Sequence, residues 1–441
     1  MNHSNVVHRL WAAMVVLMAL ATLANSLYAA DAKPPNVVLI ISDDQGWNDY
    51  SFLGNEQIRT PRLDRLASES LTFRRGYVVS SLCRPSLMTM FTGLYPHQNG
   101  ITCNDPPLPT GASRGGANRD PGFLAQRKAM TKYVEQSPTL ARELGKRGYR
   151  SLQTGKWWEG NWKNGGFTHG MTQGERHGDQ GLDIGRKTMQ PVYDFIDESR
   201  AADKPFFVWY APMLPHSPHN PPDRLLDKYK DRAPTLAIAK YWACVEWFDE
   251  TCGQLLDFLD QRKLTDDTLV LYITDNGWLQ DPNLDKYLPR SKQSQYDTGL
   301  RTPIMVRWPG RVDPRTSDDF AQSIDLMPTI LTAVGAKLPA NLPGVNLLDA
   351  TTVAARKTLY GTCYTHNAVD IDNPAKNVKY RWCIDGQLKL IVPDKSNVPE
   401  DVVELYDLGN DPGETKNLAS SKPDDVQRLT KLLEGWWKKS S

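Results

Sequence analysis

Short, unbroken apolar runs alternate with stretches of helical period along most of the chain. Asn36 to Ile41, Tyr149 to Gln153, Phe206 to Ala211, Leu269 to Thr274 and Pro303 to Trp308 each read as a strand buried on both faces. Between them, Thr60-Pro61 opens a helix bearing Leu63, Leu66 and Ala67. Ser137-Pro138 opens another, closed at Gly148, and a long helix runs from about Thr235 to Leu259. This alternation predicts an α/β fold: a large mixed, mostly parallel sheet sandwiched by helices. A composition shift over Leu338 to Ala350 marks a linker. Beyond it, Tyr380 to Ile384, Gln387 to Val392 and Val402 to Leu408 read as antiparallel strands. Asp385-Gly386 is their hairpin turn, and a helix from about Pro423 to Lys438 closes the chain. The expected organisation is a main domain over residues 31–345 and a smaller antiparallel-sheet and helix subdomain over 346–441.

Residues 1–30 stand apart. His8 and Arg9 precede an apolar run from Leu10 to Leu20, and Ala30-Asp31-Ala32 offers a small-residue cleavage pattern. This reads as a secretory signal peptide, because the run is short for a hydrocarbon core of about 30 Å. A retained N-terminal membrane anchor is the alternative. The expected location is therefore secreted or periplasmic, with no stable membrane span in the mature chain. Lys+Arg of 52 against Asp+Glu of 51 argues against a nucleic-acid partner, which calls for a basic excess. Cys83, Cys103, Cys244, Cys252, Cys363 and Cys383 are the cysteines. Export permits disulfides. Cys244 and Cys252 lie too far apart on one helix to pair, while Cys363 and Cys383, on predicted strands, leave a bridge open.

Chemistry follows the strands. The first run ends in Asp43-Asp44, the second leads to Gly155-Lys156, the third to Pro215-His216 and the fourth to Asp275-Asn276. In an open parallel sheet, ligands bind outside the carboxyl ends of strands, so these groups should converge. Three carboxylates and an amide are hard oxygen donors that repel one another unless a cation sits between them. Such a set favours Ca²⁺ or Mg²⁺ over zinc. Cys83 precedes Pro85 at a predicted helix N-terminus, where free N–H groups favour an anion and a thiol ionises easily. Nucleophile chemistry or anion binding follows. Two irregular segments, Asn104 to Lys128 and Trp157 to Gly185, read as binding loops.

These residues fall in a familiar order: Asp43-Asp44, Cys83-x-Pro85-Ser86, Thr92-Gly93-Leu94-Tyr95-Pro96-His97-Gln98-Asn99-Gly100, Gly155-Lys156-Trp157, Pro215-His216-x-Pro218, Thr274-Asp275-Asn276-Gly277 and Trp308-Pro309-Gly310. With the closing Glu404 to Leu408, Asp411-Pro412 and Asn417-Leu418, the order resembles the type I sulfatases of the alkaline phosphatase superfamily over about residues 36 to 420. The resemblance implies hydrolysis of a sulfated small molecule or carbohydrate. It implies that a formylglycine-generating or equivalent maturation enzyme converts Cys83 to formylglycine (3-oxoalanine), whose hydrate attacks sulfur. It implies Ca²⁺ held by Asp43, Asp44, Asp275 and Asn276, sulfate oxygens held by Lys156 and Lys292, and a leaving alkoxide protonated by His216. Elementary chemistry agrees, since an anionic ester needs charge neutralisation and an alkoxide needs a proton.

Two positions depart from the family. Leu87 stands where an Arg is expected beside the nucleophile, leaving Arg84 as the nearest substitute, about 100° away by helical periodicity. Trp158 stands where a His is expected, leaving His169 and His177 as candidate replacements. Trp158, with Trp157 and Trp162, offers rings for stacking on sugar faces. His219 is read as a turn cap, with lining of the substrate pocket as the alternative, and Arg301 as support for the loop of Lys292. A formylglycine-dependent phosphodiester or phosphonate ester hydrolase is one alternative, and an impaired glycan-binding relative is another. A two-zinc phosphatase fits poorly, since His216 is the histidine that follows a core strand.

Overall fold

The computed structural model describes residues 33–438, so the signal-peptide reading lies outside the described residues. Eight strands form the main sheet: β1 (Asn36–Ser42), β2 (Leu71–Tyr77), β3 (Arg150–Gly155), β4 (His169–Gly170), β5 (Phe206–Ala211), β6 (Thr268–Thr274), β7 (Arg301–Arg307) and β8 (Arg315–Gln322), in the spatial order β4-β3-β5-β1-β6-β7-β2-β8. Only β7 runs against the others. The expected mixed, mostly parallel sheet is therefore present.

Alternation explains why the central strands are apolar throughout. Val37, Leu39 and Ile41 of β1 face one core with Phe207, Trp209, Leu269 and Leu271. Helices α1 (Pro61–Ser68), α2 (Cys83–Thr92), α3 (Leu140–Gly145), α4 (Gln190–Ala201), α5 (Leu236–Gln261) and α6 (Leu326–Ala333) cover the two faces. Met88 and Phe91 of α2, Leu140 of α3 and Ile330 of α6 fill this first core. Val38 and Ile40 face the opposite core with Val208, Tyr210 and Tyr272, under Leu63 of α1, Val192 of α4 and Phe248 and Leu255 of α5. Each such side chain contributes roughly 1.5–3 kcal/mol of burial. Helix α3 begins at Leu140 with Thr139 as its cap, two residues after the expected start.

The second sheet has the order β12-β11-β10-β9, with β9 (Thr358–Tyr364), β10 (Val378–Asp385), β11 (Leu388–Pro393) and β12 (Glu404–Asp407) all antiparallel. Gly386, at φ 62°, makes the expected hairpin turn. Helix α7 (Pro423–Trp436) lays Leu429 and Leu433 on Cys383, Leu390 and Leu405. Cys363 instead joins the main core, on the other face of this sheet, so the open Cys363–Cys383 bridge is not made and both thiols are free. The ammonium of Lys389 on β11 pairs both with Asp297, just before β7 of the main sheet, and with Glu414, beyond β12. No helix among the described residues is long and apolar enough to cross a membrane.

Candidate active site

The parallel strands β1, β3, β5 and β6 deliver their following residues to one edge of the sheet. Strand β2 ends at the same edge and leads to Cys83, the first residue of α2. Because β7 is reversed, the loop before it arrives there too, carrying Lys292. Gly277 lets that loop close on β6, since a Cβ at 277 would stand 2.1 Å from the Thr298 carbonyl oxygen.

There the side chains meet. One ligating atom each from Asp43, Asp44, Cys83 and Asp275 lie within 4.8 Å of one another. The Asp44 amide donates to Asp275 Oδ1 at 3.0 Å. Asn276 Nδ2 donates to Asp44 Oδ1 at 2.7 Å and turns its Oδ1 to Cys83 Sγ at 3.6 Å. Lys156 bridges Asp43 and Asp275, the latter at 3.3 Å. Lys292 Nζ sits 2.6 Å from Asp44 Oδ2, and His216 Nε2 lies 3.3 Å from the same oxygen.

The electrostatics are those of crowded like charges. Burial, reinforced by Asp275 and Asp44, pushes the Asp43 carboxyl well up despite Lys156. Burial also opposes charge on Asp44, yet Lys292, His216 and Lys156 hold its carboxyl below the usual range. Burial pushes His216 well down, with Lys292 and Lys156 acting the same way against Asp44. The expectation of an easily ionised thiol fails: burial lifts Cys83 to about 11, outweighing Lys156 and Lys292. The residues fit a hard divalent cation. Asp43, Asp44, Asp275 and Asn276 all offer oxygen, and Asp43 Oδ2 is buried without a hydrogen-bond partner among the described residues.

Three expected substrate contacts are placed elsewhere. The Arg84 guanidinium is buried and doubly bonded to Glu159, both contacts at 2.6 Å, so it turns away from the cluster. Trp158 is 6% exposed, with Arg176 over its ring at 4.6 Å and His177 at its edge, so little of it is left for stacking on a sugar. His169 sits on the edge strand β4 with Arg150 at 2.9 Å and Phe195, away from the cluster. Trp157 and Leu87 are core residues. His219 pairs with Asp285 at 2.6 Å, and Arg301 stacks on Trp47 and bonds the Arg74 carbonyl rather than the loop of Lys292.

His177, by contrast, faces His216 at 6.1 Å between ring centres. Its loop is strained, with φ of 69° at His177, 119° at Gly178 and 39° at Asp179. The Asp179 carboxylate holds it by accepting the amides of Gln173, Gly174, Glu175 and Gln180. Burial, Arg176, Lys156 and His216 together keep the His177 imidazole well below the usual histidine range.

A family model described as sulfatase matches residues 35–336, and one described as N-sulphoglucosamine sulphohydrolase, C-terminal, matches residues 290–438. The chain belongs to the sulfatase family. It is a sulfuric ester hydrolase. Human arylsulfatase A is 26% identical over 470 residues, covering 91% of this chain and 88% of its own. A solved structure in complex with its substrate D-glucosamine-2-N,6-O-disulfate superimposes with a TM-score of 0.73 at 20% identity, covering 92% of this chain and 98% of that one. The phosphonate monoester hydrolase of Agrobacterium radiobacter shares the fold at a TM-score of 0.65 and 16% identity, over 91% of this chain and 95% of that one.

Proposed function

We propose that this sulfatase removes sulfate from a sulfated carbohydrate, working outside the cytoplasm after export by its N-terminal segment. The observation that carries the reading is the convergence of Cys83 with three carboxylates, within 4.8 Å, beneath two lysines. Asp43, Asp44, Asp275 and Asn276 would hold Ca²⁺, and a maturation enzyme would convert Cys83 to formylglycine. The cation supplies charge neutralisation for the sulfate, and formylglycine supplies the attacking hydroxyl.

The chain's own side chains do the rest. Lys156 and Lys292 orient the sulfate and offset its charge. The His216 Nδ1–H donates to the Ser217 carbonyl at 2.5 Å, which leaves Nε2 to face Asp44 and the ester. Asp44 favours a proton on that Nε2 against burial and the two lysines, and an anionic ester bound at the lysines would add to that pull, so that His216 would pass the proton to the leaving alkoxide oxygen. His177, held neutral opposite, would accept the hydroxyl proton given up at position 83 as sulfate is expelled. The likeness to a phosphonate monoester hydrolase favours a second reading, in which the same groups act on a phosphonate or phosphodiester.

Purified protein should be assayed against 4-nitrophenyl sulfate, sulfated sugars and phosphate diesters, alongside Cys83→Ala and peptide mass spectrometry around position 83. Turnover of sulfates, lost in Cys83→Ala, is expected. An unmodified thiol in fully active protein would overturn the nucleophile, and preference for phosphate diesters would favour the second reading.

A further inference from the structure

Beyond Trp158 and the His177 loop lies a cavity of about 760 Å³ that shares Asn118 and Arg176 with a smaller hollow of about 210 Å³. The larger is the size of a pocket that encloses most of a ligand with more than one ring. The smaller suits a single substituent, and its lining is basic. Arg114 is exposed there and makes no ion pair among the described residues. Arg176 lines it as well, with Asn367 beside it.

Asp105 is the one carboxylate in that lining, and it is already spent. It is buried beneath two guanidiniums, Arg127 at 2.9 Å and Arg176 at 3.0 Å. One carboxylate balances one of them, so with Arg114 the hollow keeps an excess of positive charge. Glu135 and Glu175 line the larger cavity instead.

The hollow stands next to the catalytic cluster. Arg176 Nη1 lies 3.4 Å from His177 Nδ1. Arg176 already holds Asp105 through Nε and Nη2, so it contributes charge, while the open Arg114 guanidinium is suited to the paired oxygens of a sulfate or carboxylate.

We propose that the hollow is a second anion subsite, and that the preferred substrate is an oligosaccharide bearing a further sulfate or carboxylate besides the sulfate removed. Its rings occupy the larger cavity. This rests on the carbohydrate reading given above.

Calorimetry on full-length Cys83→Ala protein tests it. The probes are a monosulfated disaccharide, the same sugar with a second sulfate, and the same sugar with a uronate carboxylate in its place. A second anion should tighten binding at least tenfold, and added salt should erode the gain. Arg114→Gln should cut the gain below threefold. Arg176→Gln should do the same, and the exposed Arg114 variant keeps the test valid if loss of Arg176 unsettles Asp105. The two disubstituted probes show whether sulfate or carboxylate is favoured. Equal affinity for one and two anions, or a preference surviving both arginine changes, overturns the proposal. Failure of the wild-type enzyme to cleave any sulfate ester would instead refute the catalytic reading, because calorimetry reads the hollow without turnover.

Discussion

Replacing Lys389 by Met should weaken both stability and catalysis, through one buried ion cluster. Lys389 is fully buried, 2.8 Å from Asp297 Oδ1 and 2.7 Å from Glu414 Oε1. Asp297 also accepts the Tyr77 hydroxyl at 2.9 Å, and Glu414 accepts the Asp297 amide at 2.7 Å. The Glu414 carbonyl in turn takes a hydrogen bond from Arg290. The cluster thus joins the second sheet to β2, which leads to Cys83, and to the loop that carries Lys292. Methionine keeps the bulk of the stem but leaves two buried carboxylates facing each other. Breaking a buried pair this way costs about 3–5 kcal/mol. Burial already pushes Glu414 up, so it can take a proton and hold the loss near the lower end, about 3 kcal/mol. Denaturant unfolding followed by circular dichroism measures that loss, and 4-nitrophenyl sulfate turnover measured beside it should fall as the loop of Lys292 loosens. Glu414→Gln added to Lys389→Met should recover part of the stability, because it removes one of the stranded charges. A loss under about 1 kcal/mol, or a double variant as unstable as the two single losses summed, would refute the reasoning.

His177→Gln should lower kcat by about 10²–10³-fold while 4-nitrophenyl sulfate still binds, and a fall under threefold would remove it as a proton acceptor. Chelation should abolish turnover, with Ca²⁺ restoring it better than Zn²⁺; zinc-selective recovery would contradict the oxygen donor set. Burial lifts Asp249, which accepts the Arg62 and Leu63 amides at the start of α1, to about 7. The folded chain therefore keeps a proton that the unfolded chain releases near pH 4, so stability falls as pH rises from 4 to 7. Asp249→Asn should remove that slope, on the order of 3 kcal/mol across the window, as read from unfolding curves at several pH values. Gly155→Ala should prevent stable folding, since Gly155 has φ 70° and a Cβ there would stand 1.9 Å from the Ala211 carbonyl oxygen; soluble, active protein would refute this.

Sequence patterning reveals β1, β5 and β6 because both of their faces are covered, which leaves no polar position to break the run. It hides β2 and β8, where Arg74, Arg315, Asp318 and Asp319 reach water at the sheet margin. The reversed direction of β7 has no local signature, although it is what brings Lys292 to the same edge as Asp43. The acidic pairs, Lys156 and His216 are legible because each trails a strand. That His177 rather than His169 stands beside His216 is not, for a positive-φ turn closed on Asp179 places it there. The Cys83 thiol misleads for a physical reason: the helix terminus favours charge, but loss of water outweighs it. Lys389, Asp297 and Glu414 lie far apart along the chain, and nothing local marks them as a cluster.

Cys83 is 2% exposed, walled in by segments that reach it from as far away as Asp43 and Lys292. A second protein that works on this thiol must grasp the peptide around it, and the closed sheet edge leaves no such handle. Any enzymatic change at position 83 therefore belongs to the interval between synthesis and closure. If Cys83 is converted as proposed, a chain that folded ahead of its processing partner would be locked in the unprocessed form, and the yield of competent molecules would be set by a race rather than by affinity.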